Sequence, residues 1–138
     1  MVDLQNLSYA LVQVVHNFGA AAVVGGAALM LLVTPPVRSL QNKIAWIVGG
    51  GWLAQILSGI GFAVVSYTGY GTLPDIHGIA VAALYIKILC ASGGVILSFM
   101  LLRHAGGWSD KRCRSAWQML LALGVVALTS AAFLRWFS

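Results

Sequence analysis

Two ionisable side chains interrupt long apolar runs of this sequence: His16 in VVHNFGAAAVVGG and Lys87 in LYIKILCASGG. A charged side chain at the centre of a bilayer costs about 2.5 to 3.5 kcal/mol on insertion scales, so an ionisable residue inside a span is a candidate for function. At about 1.5 Å per helical residue, His16 falls about 25 Å from Val33 and Lys87 about 24 Å from Arg103, which puts both at one depth toward the outer surface. Gln13 and Asn17 of the first run share that depth, and Arg135 of the fourth lies about 28 Å from that run's inner end. The face of Lys87 is made of small residues, Ala80, Ala91, Gly94 and Ser98, at helical spacing, which favours packing on protein rather than lipid.

A buried lysine needs an anion, and the apolar runs hold none. The three acids, Asp3, Asp75 and Asp110, lie in tails or loops, which excludes a proton relay built on intramembrane carboxylates. A bound anionic cofactor is the natural counter-charge. Haem b has the right chemistry: neutral imidazole is its commonest protein ligand, and its propionates would be met by Lys87 or Arg135. His16 is then the expected axial ligand and His77 the expected second one. If the third helix began at His77, that residue would lie about 15 Å beyond Lys87, so the glycine-rich loop would have to fold inward. His104 is too deep on the other side to share this iron. Zinc or copper would want three or four clustered ligands, and the histidines, cysteines and methionines are scattered. The plainer alternatives are a Lys87 that snorkels to the interface and a His16 that bonds a neighbouring carbonyl.

The elements that must position these residues follow from composition. The chain has 138 residues, 60% hydrophobic and 8% charged, with a mean hydropathy of +0.92, against about 25% charged in soluble domains. The expected fold is an all-α integral membrane bundle, one domain of four spans at about 8–33, 44–67, 78–102 and 115–137. Thr34-Pro35-Pro36 ends the first span, Gly69 to Gly71 the second, and Gly106 and Gly107 follow the third. The first run is preceded by Asp3 with no Lys or Arg and carries no cleavage pattern, so it is expected to be retained.

The net charge of +5 does not indicate nucleic acid, because the cations sit in short connections. Arg38, Lys43, Arg103, Lys111, Arg112 and Arg114 stand on one side against Arg135 on the other, which predicts basic loops inside and both termini and the His77 loop outside. Trp46, Trp108 and Trp117 are expected at the inner interface, and Tyr67, Tyr70 and Trp136 at the outer one. Glycines within the spans suit close helix packing. Cys90 and Cys113 are expected to be free, at different depths. Segment 21–32 (AAVVGGAALMLL) loosely echoes 91–102 (ASGGVILSFMLL), as a duplicated helical hairpin would. Gln55 and Ser58 are expected to bond another helix.

His16 followed by Gly25 and Gly26, together with Lys87 after Tyr85, is similar to the pattern of the HemJ-type membrane protoporphyrinogen oxidases and the related copper-resistance D (CopD-like) proteins. The likeness covers most of the first three spans and implies a b-type haem involving His16 and Lys87. The connection TPPVRSLQNK and the Leu- and Phe-rich end of the third span depart from the family, and His77 is additional to it. The expected function is therefore a small cytochrome b-like subunit of a prokaryotic inner-membrane redox complex, with lipid and other membrane or periplasmic redox subunits as partners. A cofactor-free anchoring subunit and a HemJ-like oxidase are the alternatives.

Overall fold

The structure, a computed structural model, describes residues 4–33 and 37–137; the Thr34-Pro35-Pro36 break lies outside the described residues. Helix α1 spans Leu4–Leu32, α2 Arg38–Tyr70, α3 Ile79–His104 and α4 Asp110–Phe137, with a 3-10 turn at Ala105–Gly107. Among the described residues there is no strand. All four helices are long and apolar enough to cross a membrane, and at about 1.5 Å per residue even the shortest exceeds the roughly 30 Å hydrocarbon core. These helices mark the chain as a multi-pass membrane protein. They overrun the apolar runs, α2 beginning six residues before Ile44 (44 minus 38) and α4 five before Ser115 (115 minus 110), because polar residues such as Gln41 and Lys111 extend a helix readily once outside hydrocarbon.

The bundle is apolar outside and small or polar within. Leu4, Leu11, Phe18, Leu57, Leu89 and Phe99 face outward, while Gln55, Ser58, Ser66, Ser98 and Ser130 are buried. Where lipid tails solvate leucine as well as protein does, close packing and hydrogen bonds hold helices together. The closest approach is between α1 and α2 at Gly19 and Gly51: a Cβ on Gly19 would stand 3.0 Å from the Gly51 carbonyl oxygen, and one on Gly51 would stand 2.9 Å from that of Gly19. Helix α2 packs on α1 and α3, and α4 on α3 and α1, closing a four-helix ring.

The suspected duplication is visible in the burial pattern rather than the letters. Buried Gly19, Val23, Ala27 and Met30 of α1 are matched in α3 by Cys90, Gly94, Ser98 and Leu101, a constant shift of 71 (90 minus 19). Helices α2 and α4 match at a shift of 72 (113 minus 41), from Gln41 and Cys113 to Ser58 and Ser130. The contacts repeat as well: the Trp52 indole lies where a Gly94 side chain would be, and Val23 occupies the same relation to Gly124. The sequence echo of 21–32 with 91–102 was one residue out of register.

At the basic end, Arg38 donates to the carbonyls of Ala105 and Trp108 and stands 3.6 Å from Asp110. This ties the start of α2 to the α3–α4 connection. Arg112 lies 4.5 Å over the Trp108 ring. Trp46 and Trp136 are exposed as interfacial rings should be, but Trp117 is only 1% exposed and belongs to the core. Both cysteines are free and buried. At the other end, Gly71 closes α2 in the left-handed conformation (φ 73°), its N–H bonding the Tyr67 carbonyl at 2.9 Å, a conformation a side chain would resist.

Candidate functional site

His16 and Lys87, on different helices, meet: Lys87 Nζ is 3.0 Å from His16 Nε2. Their common depth is thus a direct contact, and both are half-buried. They occupy matching positions in the two hairpins, since 87 minus 16 is the same shift of 71 that relates the buried faces of α1 and α3.

Helix α2 supplies the rest of the site. Ser58 Oγ lies 2.7 Å from His16 Nδ1 and donates its own proton to the Ala54 carbonyl at 2.5 Å. A hydroxyl has one proton, so Ser58 must accept from His16, and Nδ1 carries the hydrogen. Nε2 is left with its lone pair, facing the Lys87 donor. The donors therefore run in one direction, from Lys87 Nζ through the imidazole and the Ser58 hydroxyl to the Ala54 carbonyl. Gln55 Nε2 donates to the His16 carbonyl at 2.5 Å and fixes the backbone of the same residue. Phe62 meets the imidazole edge-on at 5.6 Å and stacks on Tyr9 at 6.4 Å, forming an aromatic wall.

The other polar residues of the outer layer stand apart from this centre. Gln13 donates to Asn17 at 2.7 Å, and both are exposed; the roughly 100° turn per residue carries Asn17 off the His16 face. His77 is 81% exposed on the α2–α3 loop and stands 3.2 Å from Asp75. Arg135 is exposed in the last turn of α4, and His104 ends α3 at the basic end. Asp75 and Asp110, the carboxylates among the described residues, face His77 and Arg38, so neither answers Lys87.

Gln55 and Ser58 do bond another helix, as anticipated, yet the residue they bond is His16. Their place in the site was legible only as a three-residue spacing on one face of α2; the choice of helix came from the Gly19–Gly51 crossing below them.

Chemically, the centre offers an oriented imidazole with a free lone pair beside a primary amine. Such a nitrogen can ligate a metal or take a proton, and the amine can hold a carboxylate. No group of three or more His, Cys, Asp or Glu that could hold a metal ion occurs among the described residues. Haem, which brings four nitrogens of its own, asks for one or two protein ligands, and a hydrogen-bonded imidazole fits one axial position. Compared with known families, curated proteins and solved structures, the chain has no match.

Proposed function

We propose that this chain is a membrane-embedded haem b protein, an electron-transfer subunit of a prokaryotic inner-membrane redox complex, with both termini on the outer face. The observation that carries the reading is the imidazole of His16, oriented by Ser58 and presenting Nε2 to Lys87. Bound haem would supply one-electron chemistry. His16 would take one axial position, its Nδ1–H on Ser58 raising the basicity of Nε2 and fixing the ring plane. Lys87 would leave Nε2, its four-carbon stem allowing the swing, and hold a propionate in place of the missing carboxylate. Phe62 and Tyr9 would exclude water on one side, and Arg135 is placed near the same end for a second propionate. His77 would become the second ligand by leaving Asp75 as its loop turns inward.

The test is a reduced-minus-oxidised visible spectrum of the protein purified with its partners. A haem b signal in the wild type that is lost in His16→Ala and altered in His77→Ala is expected. A colourless wild type would favour the anchoring subunit, and a signal unchanged in His16→Ala would refute the assignment of the ligand.

The same contact supports a second reading, a HemJ-like porphyrinogen oxidase, in which Nε2 takes a proton from substrate and Lys87 holds its carboxylate. Porphyrin formation by the isolated protein, dependent on both His16 and Lys87, would distinguish it from a carrier.

A further inference from the structure

At the basic end, α1, α2 and α4 enclose a cleft of about 280 Å³ floored by Met30 and Val33 and flanked by Lys111 and Arg114. Gln41 and Trp117 also line it. They are 4% and 1% exposed, and the Gln41 Oε1 and Trp117 Nε1 atoms have no hydrogen-bond partner. Buried polar atoms are almost always satisfied, so two orphans in one cleft indicate a missing occupant. Indole N–H only donates and an amide oxygen only accepts. The occupant must therefore present an acceptor to Trp117 and a donor to Gln41.

Charge narrows the choice. Asp110, the carboxylate at the rim, is drawn off by Arg38, leaving Lys111 and Arg114 to set a positive field. Arg114 is also anchored over the end of α1 by a 3.4 Å bond to the Leu31 carbonyl. A phosphate matches two cations and an indole N–H. An alcohol on the same molecule matches the amide oxygen. At about 30 Å³ per water the cleft suits a group of roughly ten non-hydrogen atoms rather than a single ion. Its apolar floor and its place at the end of the spans, beside the Arg112–Trp108 pair, match a lipid whose headgroup enters while its chains stay in the bilayer.

We propose that this cleft binds the phosphoglycerol headgroup of an anionic membrane lipid: Lys111 and Arg114 hold the phosphate, Trp117 Nε1 donates to it, and Gln41 Oε1 accepts from a glycerol hydroxyl. The site lies at the opposite end of the bundle from His16 and Lys87 and does not depend on their function.

The test is native mass spectrometry of the full chain in detergent with phosphatidylglycerol, phosphatidic acid or phosphatidylcholine added in equal amounts. Retention of one phosphatidylglycerol at least tenfold above phosphatidylcholine is expected. Lys111 and Arg114 are exposed, so Lys111→Gln with Arg114→Gln spares the core and should abolish the preference. Gln41→Leu should weaken phosphatidylglycerol several-fold and leave phosphatidic acid, which lacks the glycerol headgroup, unchanged. Equal retention of phosphatidylglycerol and phosphatidylcholine, or a preference that survives the double substitution, would overturn the proposal. Equal weakening of both anionic lipids by Gln41→Leu would overturn the role of the hydroxyl. Displacement of the lipid by an equimolar amount of free glycerol 3-phosphate would overturn the lipid as the source and assign the cleft to a soluble phosphate ester.

Discussion

The hydrogen-bond directions around His16 make a prediction that does not depend on any cofactor. In the ligand-free protein the imidazole is protonated at Nδ1, because Ser58 has given its only proton to Ala54 and can only accept. Two contacts hold this tautomer, Nδ1–H to Ser58 at 2.7 Å and Lys87 to Nε2 at 3.0 Å. Hydrogen bonds between helices in membranes average about 0.6 kcal/mol. Two of them favour the tautomer by about 1.2 kcal/mol, close to tenfold at about 1.4 kcal/mol per decade. Ser58→Ala removes one and should reduce the ratio to about threefold. Nitrogen-15 spectra of His16 in lipid report the state directly: a protonated Nδ1 and an unprotonated Nε2 are expected, with the Nε2-protonated form growing in Ser58→Ala. A wild type protonated mainly at Nε2, or a ratio untouched by Ser58→Ala, would refute the reasoning.

Three further perturbations test the framework. Gly51→Ala sets a Cβ 2.9 Å from the Gly19 carbonyl and should cost about 1 to 3 kcal/mol by overpacking, measured as reversible unfolding in mixed micelles; Gly50→Ala, which meets nothing within 4 Å, should be near neutral. Arg38→Ala breaks the clip to Ala105, Trp108 and Asp110, and because that side chain is partly exposed the loss should be about 1 kcal/mol in the same assay. Membrane-impermeant thiol labelling of intact cells should reach Asp75→Cys and not Lys111→Cys, and the reverse pattern would invert the proposed orientation.

Helix number and depth were legible in the sequence because hydropathy and rise per residue are local properties. They gave four helices and put His16 level with Lys87. Rotation about each helix axis was less legible. Asn17 adjoins His16 in sequence and shares its depth, but it faces away and bonds Gln13. Trp117 carries the residue type of an interfacial anchor yet is buried, since it follows Ala116 on the face of α4 that turns inward. In a bundle so apolar, the inward face is marked by small residues rather than by hydrophobicity. Glycine and alanine occur on several faces at once, so they locate it only when a second helix is known.

The matching registers explain how a histidine and a lysine with no sequence relation come together. Helices α1 and α3 bury the same set of positions, so residues at matching places project from similar depths and faces. If both had kept the same ionisable type, two ammonium groups or two imidazoles would meet with no acid nearby, and two ammonium groups would repel strongly in a medium of low dielectric. One imidazole and one amine avoid this, because neutral His16 can accept from Lys87 at 3.0 Å. Helix α2 then breaks the remaining equivalence. Ser58 has a serine counterpart in Ser130 of α4, but Gln55 is matched there by Ala127, so only the α1–α2 hairpin can hold the histidine backbone as well as its ring. The single site therefore arises from one hairpin differing from the other at two matched positions. Exchanging the pair, with Lys at 16 and His at 87, should not restore it, since the imidazole would then be placed opposite Ser130 and Ala127; a haem signal or porphyrin oxidation retained by that double exchange would show that the α2 contacts are dispensable.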